Sequence, residues 1–433
     1  MDFKSFNVGQ KVKLITKKGN FECIVLESPR EDILLVKLDS GYNIGIREED
    51  VLDVKILRTK KSEKILEDKN KKVVKSSDKN LPNIALVVTG GTISSRLDSK
   101  TGGVKWLTNP EELLSFYPEL LKIANVKKIE VPFVKGSENM DSKDWSAVAE
   151  NVAKFCNDSS IKGIVVTHGT DTLHYSASAL AFALKNLNKP VVLTYSQRSS
   201  DRASSDARLN LICAAKMAVS DVAEVMLVGH ASINDNYCYA LSATKVRKMH
   251  TSRRDTFRPI NTRPLAKVYP DKIEMIREYK VRNNEKVELK NKFSEKVALI
   301  KFYPGQNPDV LDYYLEKGYK GIVIEMTGLG HVAVGESRKN WIPKLKKIIK
   351  AGVFVCATPQ TIYGRLHPLT YSVGRELEGL GIVYLRDMLS ETAFVKLSWI
   401  LGNTVMARDV KKHMLRNYAG EFADYLKEDE FLN

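Results

Sequence analysis

Two segments of this 433-residue chain place a hydroxyl directly after glycine at the end of an apolar run. Ile84 to Val88 leads into Thr89-Gly90-Gly91-Thr92-Ile93, and Ile164 to Val166 leads into Thr167-His168-Gly169-Thr170-Asp171-Thr172. Glycines let a backbone turn tightly and approach a ligand closely. A threonine at such a tip is a candidate nucleophile, and its weak hydroxyl needs a base or a stabilised anion. The rival reading of the first segment is a phosphate loop, but it contains neither GxGxxG nor GK[ST]. In the second segment Asp171 or Thr172 also suits the cap of a helix opening at Leu173, a role compatible with catalysis.

The base is less legible. Seven histidines (His168, His174, His230, His250, His331, His367 and His413) suggest a triad, yet no GxSxG elbow accompanies them. The alternative is a lysine with a depressed pKa, held by an acid such as Asp171. The residues alone do not say which lysine. Five scattered cysteines (Cys23, Cys156, Cys213, Cys238 and Cys356) form no CxxC pair. They read as small buried hydrophobes, with no metal site and no disulfide framework expected.

These residues need strands to carry them. Val191 to Leu193, Val225 to Val228, Val297 to Ile300, Ile322 to Ile324 and Val353 to Cys356 are further short apolar runs. Helical spacing alternates with them, as in Trp145, Val148, Ala149, Val152, Phe155 and Cys156, with Ser142 as the expected N-cap. Continuous apolar strands alternating with helices predict an α/β fold with mostly parallel sheets covered on both faces. Open α/β sheets bind ligands at the carboxyl ends of strands, where both Gly-Thr steps lie.

The chain divides into five stretches. Residues 1–58 predict a small all-β, SH3-like barrel, with runs at Val12 to Ile15, Phe21 to Leu26, Ile33 to Leu38 and Tyr42 to Ile46. Residues 59–80 are a charged linker; eight lysines against four acids in 60–80 come with no interleaved aromatic to stack on bases. Residues 81–282 form the large α/β domain with both Gly-Thr steps, 283–295 a polar second linker, and 296–433 a smaller α/β domain. Composition is that of an ordinary globular protein, 43% hydrophobic and 28% charged. No run reaches the roughly 18 apolar residues of a membrane span, and the start carries no apolar signal region, so a cytoplasmic location is expected. The net charge of +16 suits either a nucleic-acid partner or a lysine-rich proteome.

Taken together, Thr89 to Ile93 and Val166 to Thr172, in this order and about 78 residues apart, resemble the two signatures of the bacterial-type asparaginase/glutaminase family. The resemblance runs from about Leu81 to about Asn403 and includes Gly136 to Asp141 and Asp387 to Leu397. It also includes Lys248, nine residues before Phe257, as the family's catalytic lysine lies. The resemblance implies Thr92 as nucleophile, with Thr170, Asp171 and Lys248 as the second catalytic group, Lys248 drawing the proton through Thr170. It implies Ser137, Glu138 and Asp171 as the grip on the substrate's α-carboxylate and α-amino group. Such a zwitterionic head needs paired donors and acceptors. Two departures stand out: Asp98 to Val104 lacks the tyrosine usual on the loop after the nucleophile, and Glu138 replaces a common glutamine.

The front extension and the stretch Tyr195 to Asp206 resemble one branch, the D subunits of archaeal glutamyl-tRNA(Gln) amidotransferases. That resemblance implies a glutaminase supplying ammonia to convert Glu-tRNA(Gln) into Gln-tRNA(Gln). It implies a partner, the amidotransferase E subunit, that binds the tRNA and holds ATP and magnesium, this chain carrying no cofactor. It also implies a homodimer within a heterotetramer. The alternatives are a free cytoplasmic L-asparaginase or glutaminase and a binding protein that has lost activity. The second is disfavoured because Thr92, Thr170, Asp171 and Lys248 are all present.

Overall fold

The computed structural model describes residues 6–431 except 29, 31, 39–41, 58–79, 98–103, 107–116, 201 and 203. The charged linker, save Asn80, and most of the stretch without a tyrosine therefore lie outside the described residues.

The front unit is a five-stranded antiparallel sheet. In sheet order its strands are Asn43–Arg47, Ile33–Leu38, Gly19–Val25, Lys11–Thr16 and Val51–Ile56. Val12, Leu14, Cys23, Val25, Leu34, Val36 and Ile46 form its core. The last strand has no counterpart among the expected runs. Its Leu52 and Ile56 face solvent, so it lacks a clean apolar alternation, and a register shift at Ile15/Thr16 interrupts its pairing.

The large domain is built on eight strands in the order Ile273–Met275, Ala266–Val268, Cys238–Ser242, Val225–His230, Val191–Thr194, Gly163–Thr167, Asn83–Val88 and Asn125–Glu130. The five from Val225–His230 to Asn125–Glu130 are mutually parallel, and the three at the other end are antiparallel. Alternate residues of Asn83–Val88 feed opposite layers. Ile84, Leu86 and Val88 pack with the helix Ala207–Ala218; Ala85 and Val87 pack with Ser142–Cys156 and Leu173–Ala183. Burial on both faces is why these strands read as continuous apolar runs.

The chain leaves Asn83–Val88 for the edge strand Asn125–Glu130 on one side, then crosses to Gly163–Thr167 on the other. The strand order thus reverses at Asn83–Val88. Such a switch point opens a crevice at the carboxyl ends, because successive connections diverge there.

One local expectation is corrected. The helix Ser142–Cys156 is capped by Asp141, not Ser142. Asp141 Oδ1 accepts from the Lys143 and Asp144 amides, and Asp144 returns a bond from the Asp141 amide. The amides of residues 143 and 144 lie two and three positions after Asp141, the ones a side chain at the cap position reaches, and Ser142 is already the first helical residue.

The smaller domain is a four-stranded parallel sheet, Val297–Lys301, Gly321–Met326, Phe354–Pro359 and Val383–Tyr384. Its helix Ser390–Gly402 packs on Leu173–Ala183 of the large domain. Phe182 stacks on Trp399 at 5.7 Å, and Trp145, Ala179 and Phe182 share one core with Val297, Val323 and Leu397. Residues 283–295 run along this seam as a packed strap. Glu288–Leu289 pairs with Leu184–Lys185, Asn157 bonds both backbone groups of Val287, and Trp399 Nε1 donates to the Lys290 carbonyl. Among the described residues no helix is long and apolar enough to cross a membrane.

Candidate active site

Three strand ends converge at the switch point. Thr89 continues the sheet: its amide and hydroxyl both donate to the Thr167 carbonyl, and its own carbonyl accepts from the Lys135 amide. The chain then turns through Gly90 and Gly91 at φ of 110° and 77°, values that side chains rarely adopt. A Cβ on Gly91 would lie 2.4 Å from the Gly169 nitrogen. The two glycine turns are thus in backbone contact, and Thr92 and Thr170, each one residue on, flank it. Thr92 opens a short 3-10 turn, Thr92–Ser94, closed by the Ser95 amide and hydroxyl, both donating to the Thr92 carbonyl.

The third strand end contributes Ser137. Its buried hydroxyl accepts from the Asp171 amide at 3.1 Å and the Thr172 amide at 3.4 Å, while Thr172 Oγ1 donates to the Ser137 carbonyl. Ser137 Oγ thereby keeps its own proton to donate elsewhere. Thr172 precedes the helix Leu173–Ala183 as its cap residue, but its side chain goes to Ser137 rather than to the helix amides. Glu138 is exposed. Its carboxylate folds back over Gly136, with Oε1 2.3 Å from where a Gly136 Cβ would lie.

Lys248 arrives from a different part of the fold, the hairpin Val246–Lys248 with Phe257–Pro259. Lys248 pairs directly with buried Phe257, which is the physical content of their nine-residue spacing. Lys248 Nζ donates to Thr170 Oγ1 at 2.9 Å and to Asp171 Oδ1 at 2.7 Å. The lysine side chain is 13% exposed and the aspartate 61%. The Asp171 carboxylate thus spans the lysine and open solvent, where a substrate head group can reach it. Of the residues singled out from sequence, Ser137, Thr170, Asp171 and Lys248 are joined by hydrogen bonds and Thr92 adjoins them through the glycine contact. Glu138 stands at the rim.

The nearest histidine is not a base for Thr92. His168 is fully buried, its Nδ1 on the Gly169 carbonyl at 2.7 Å and its Nε2 on Ser176 Oγ at 2.8 Å. Burial pushes its pKa down to about 4, so it is a neutral brace for the Gly169–Thr170 turn. The segment Tyr195 to Asp206 also reaches the site, as Ser200 Oγ donates to the Ser95 carbonyl beside the Thr92 turn. Buried Asp206 ties that segment by accepting from the Gln197 and Arg198 amides. Neither brace is visible as a pattern of residue types.

The turn geometry gives one expected result. Gly91→Ala adds a methyl group against Gly169 backbone that cannot move aside, at a φ hostile to side chains. Turnover should fall about 10²-fold through displacement of Thr92. Steady-state amide hydrolysis by folded protein checks this, and wild-type turnover would show that the glycine contact does not set the position of Thr92.

The matches to known proteins follow this layout. Residues 83–281 match the family model "Asparaginase, N-terminal", 296–414 "Glutaminase/Asparaginase C-terminal domain", and 6–57 "GatD N-terminal domain". The glutamyl-tRNA(Gln) amidotransferase D subunit of Pyrococcus furiosus is 47% identical over 99% of this chain and 98% of its own length. The D subunit from Thermococcus kodakarensis is 47% identical over 100% of this chain and 98% of its own. Among solved structures, the L-asparaginase of Thermococcus kodakarensis has 28% identity and a TM-score of 0.69, covering 79% of this chain and 100% of that one. L-asparaginase I of Vibrio cholerae has 26% identity and a TM-score of 0.68, covering 79% and 99%. An asparaginase-like unit carrying its own front domain, alike along its whole length to these subunits, places the chain in the family of glutamyl-tRNA(Gln) amidotransferase D subunits.

Proposed function

We propose that this chain hydrolyses glutamine and supplies the ammonia with which a partner, the amidotransferase E subunit, converts Glu-tRNA(Gln) into Gln-tRNA(Gln) using ATP and magnesium. The observation that carries the reading is the Lys248 bridge to Thr170 and Asp171 beside the glycine contact that sets Thr92. Thr92 Oγ attacks the side-chain amide carbon of glutamine, and its proton leaves through Thr170 to Lys248. The oxyanion that forms is stabilised by backbone amides of the glycine turns. Collapse of the tetrahedral species breaks the C–N bond, the nitrogen departs protonated as ammonia, and a glutamyl ester on Thr92 remains. Water then cleaves the ester, giving glutamate and restoring the Thr92 hydroxyl.

Substrate orientation falls to the rim. Ser137 donates its free proton to the α-carboxylate, while the solvent-facing part of the Asp171 carboxylate and Glu138 accept from the α-ammonium group. These charge-assisted bonds fix the amide relative to Thr92. In this reading two copies of the chain pair within a heterotetramer, in the cytoplasm.

A free asparaginase differs in one measurable respect. The chain alone should hydrolyse glutamine slowly, and addition of the E subunit with tRNA(Gln) should raise the rate by about 5–150-fold, the usual span for coupled sites. Full activity of the isolated chain, unmoved by partner and tRNA, would overturn the amidotransferase reading in favour of a free amidohydrolase.

A further inference from the structure

Resting on the relay proposed above, we infer that Glu391 of the smaller domain is a positioning residue for Lys248, acting through an ion pair with Arg247. Glu391 is in the first turn of the helix Ser390–Gly402 and its side chain is 7% exposed; its Oε1 lies 3.0 Å from Arg247 Nε. Arg247 immediately precedes Lys248 on the hairpin strand. The same Glu391 oxygen lies 4.0 Å from His174 Nε2, and His174 is on the first turn of the helix that follows Thr170 and Asp171. One carboxylate therefore sits between the two chain segments whose side chains must meet.

The residues leading into that strand are held from the same side. Thr392 Oγ1 donates to the Thr244 carbonyl, Thr244 Oγ1 donates to the Ala419 carbonyl, and buried Lys245 pairs with buried Asp387. Thr392 also bonds Ser178 on the helix after Asp171. These contacts anchor residues 244 and 245, and the Arg247–Glu391 pair fixes the end nearest Lys248.

Burial raises the Glu391 pKa, Glu325 adds to the rise, and Arg247 and Lys301 oppose it. Burial, with the charges of Arg247 and Lys248, pushes His174 down to about 3, so it is a neutral neighbour and Arg247 is the cation of the pair. Among the described residues Glu391 Oε2 and His174 Nδ1 have no hydrogen-bond partner.

The test is a double-mutant cycle on glutamine hydrolysis by the full chain with its partner. Glu391→Gln and Arg247→Gln should each lower kcat about 10–100-fold with KM within about twofold, since a displacement near 1 Å costs about 10²-fold. The double variant should be no worse than either single one, because both act through one pair. Arg247→Lys, which keeps the charge, should recover most of the rate. Losses that multiply in the double variant, a change confined to KM, or unchanged kcat in folded single variants would each overturn the assignment. If Glu391→Gln fails to fold, the partly exposed Arg247 decides alone, through Arg247→Lys against Arg247→Gln: equal losses refute the charge pair. Near-normal turnover of Lys248→Met would instead remove the relay itself, an outcome distinct from any of these.

Discussion

Thr92→Val should give a folded protein that does not hydrolyse glutamine. The substitution keeps the branched shape and removes only the hydroxyl. The turn around Thr92 is held by its carbonyl, which accepts from the Ser95 amide and hydroxyl, and those bonds survive the change. Ile93 beside it remains in the core. Removing a covalent nucleophile costs about 10⁴-fold or more in rate. Thermal melting should shift little, while ammonia release falls to background. Turnover near the wild-type rate in a melting-competent Thr92→Val protein excludes Thr92 as nucleophile and returns attention to Thr170.

Lys248→Met should be nearly as damaging, about 10³-fold or more, and adding Thr92→Val on top should cost little further if the two act as the proposed relay, because residues acting as a unit are not additive. The structural penalty is small by comparison. Lys248 leaves behind Thr170 and a largely exposed Asp171, which water can satisfy. The sharper readout is the assembled complex supplied with an ammonium salt. Amidation of tRNA-bound glutamate should then return to the wild-type rate, since the partner's chemistry does not pass through this lysine. A complex that stays inactive with ammonium present would assign Lys248 to assembly rather than to ammonia production.

The sequence by itself determined which residues stand at the ends of which strands. Continuous apolar runs give buried parallel strands because both faces of the sheet are covered. A glycine followed by threonine at two such ends places two hydroxyls at the rim of one sheet. That much is local: it follows from strand periodicity and glycine's backbone freedom. The family resemblance of the paired motifs then added Lys248, Ser137 and Glu138, which spacing alone did not single out.

Tertiary structure decided everything that depends on which elements become neighbours. The strand order reverses at Asn83–Val88, and only this brings the loops holding Thr92, Ser137 and Thr170 to one crevice. The hairpin that presents Lys248 lies 77 residues from Asp171 along the chain, and no local pattern encodes that encounter. The polar strap at 283–295 has the composition of a linker, yet it is ordered by backbone hydrogen bonds, to which composition is blind. His168 has the residue type of a catalytic base, but burial makes it a neutral brace. Glu391, more than two hundred residues from Asp171, reaches Arg247 beside Lys248 because the smaller domain docks its helix Ser390–Gly402 on Leu173–Ala183. Residue type and spacing fix what chemistry is available; the crossovers and the packing of the two domains fix which groups meet to perform it.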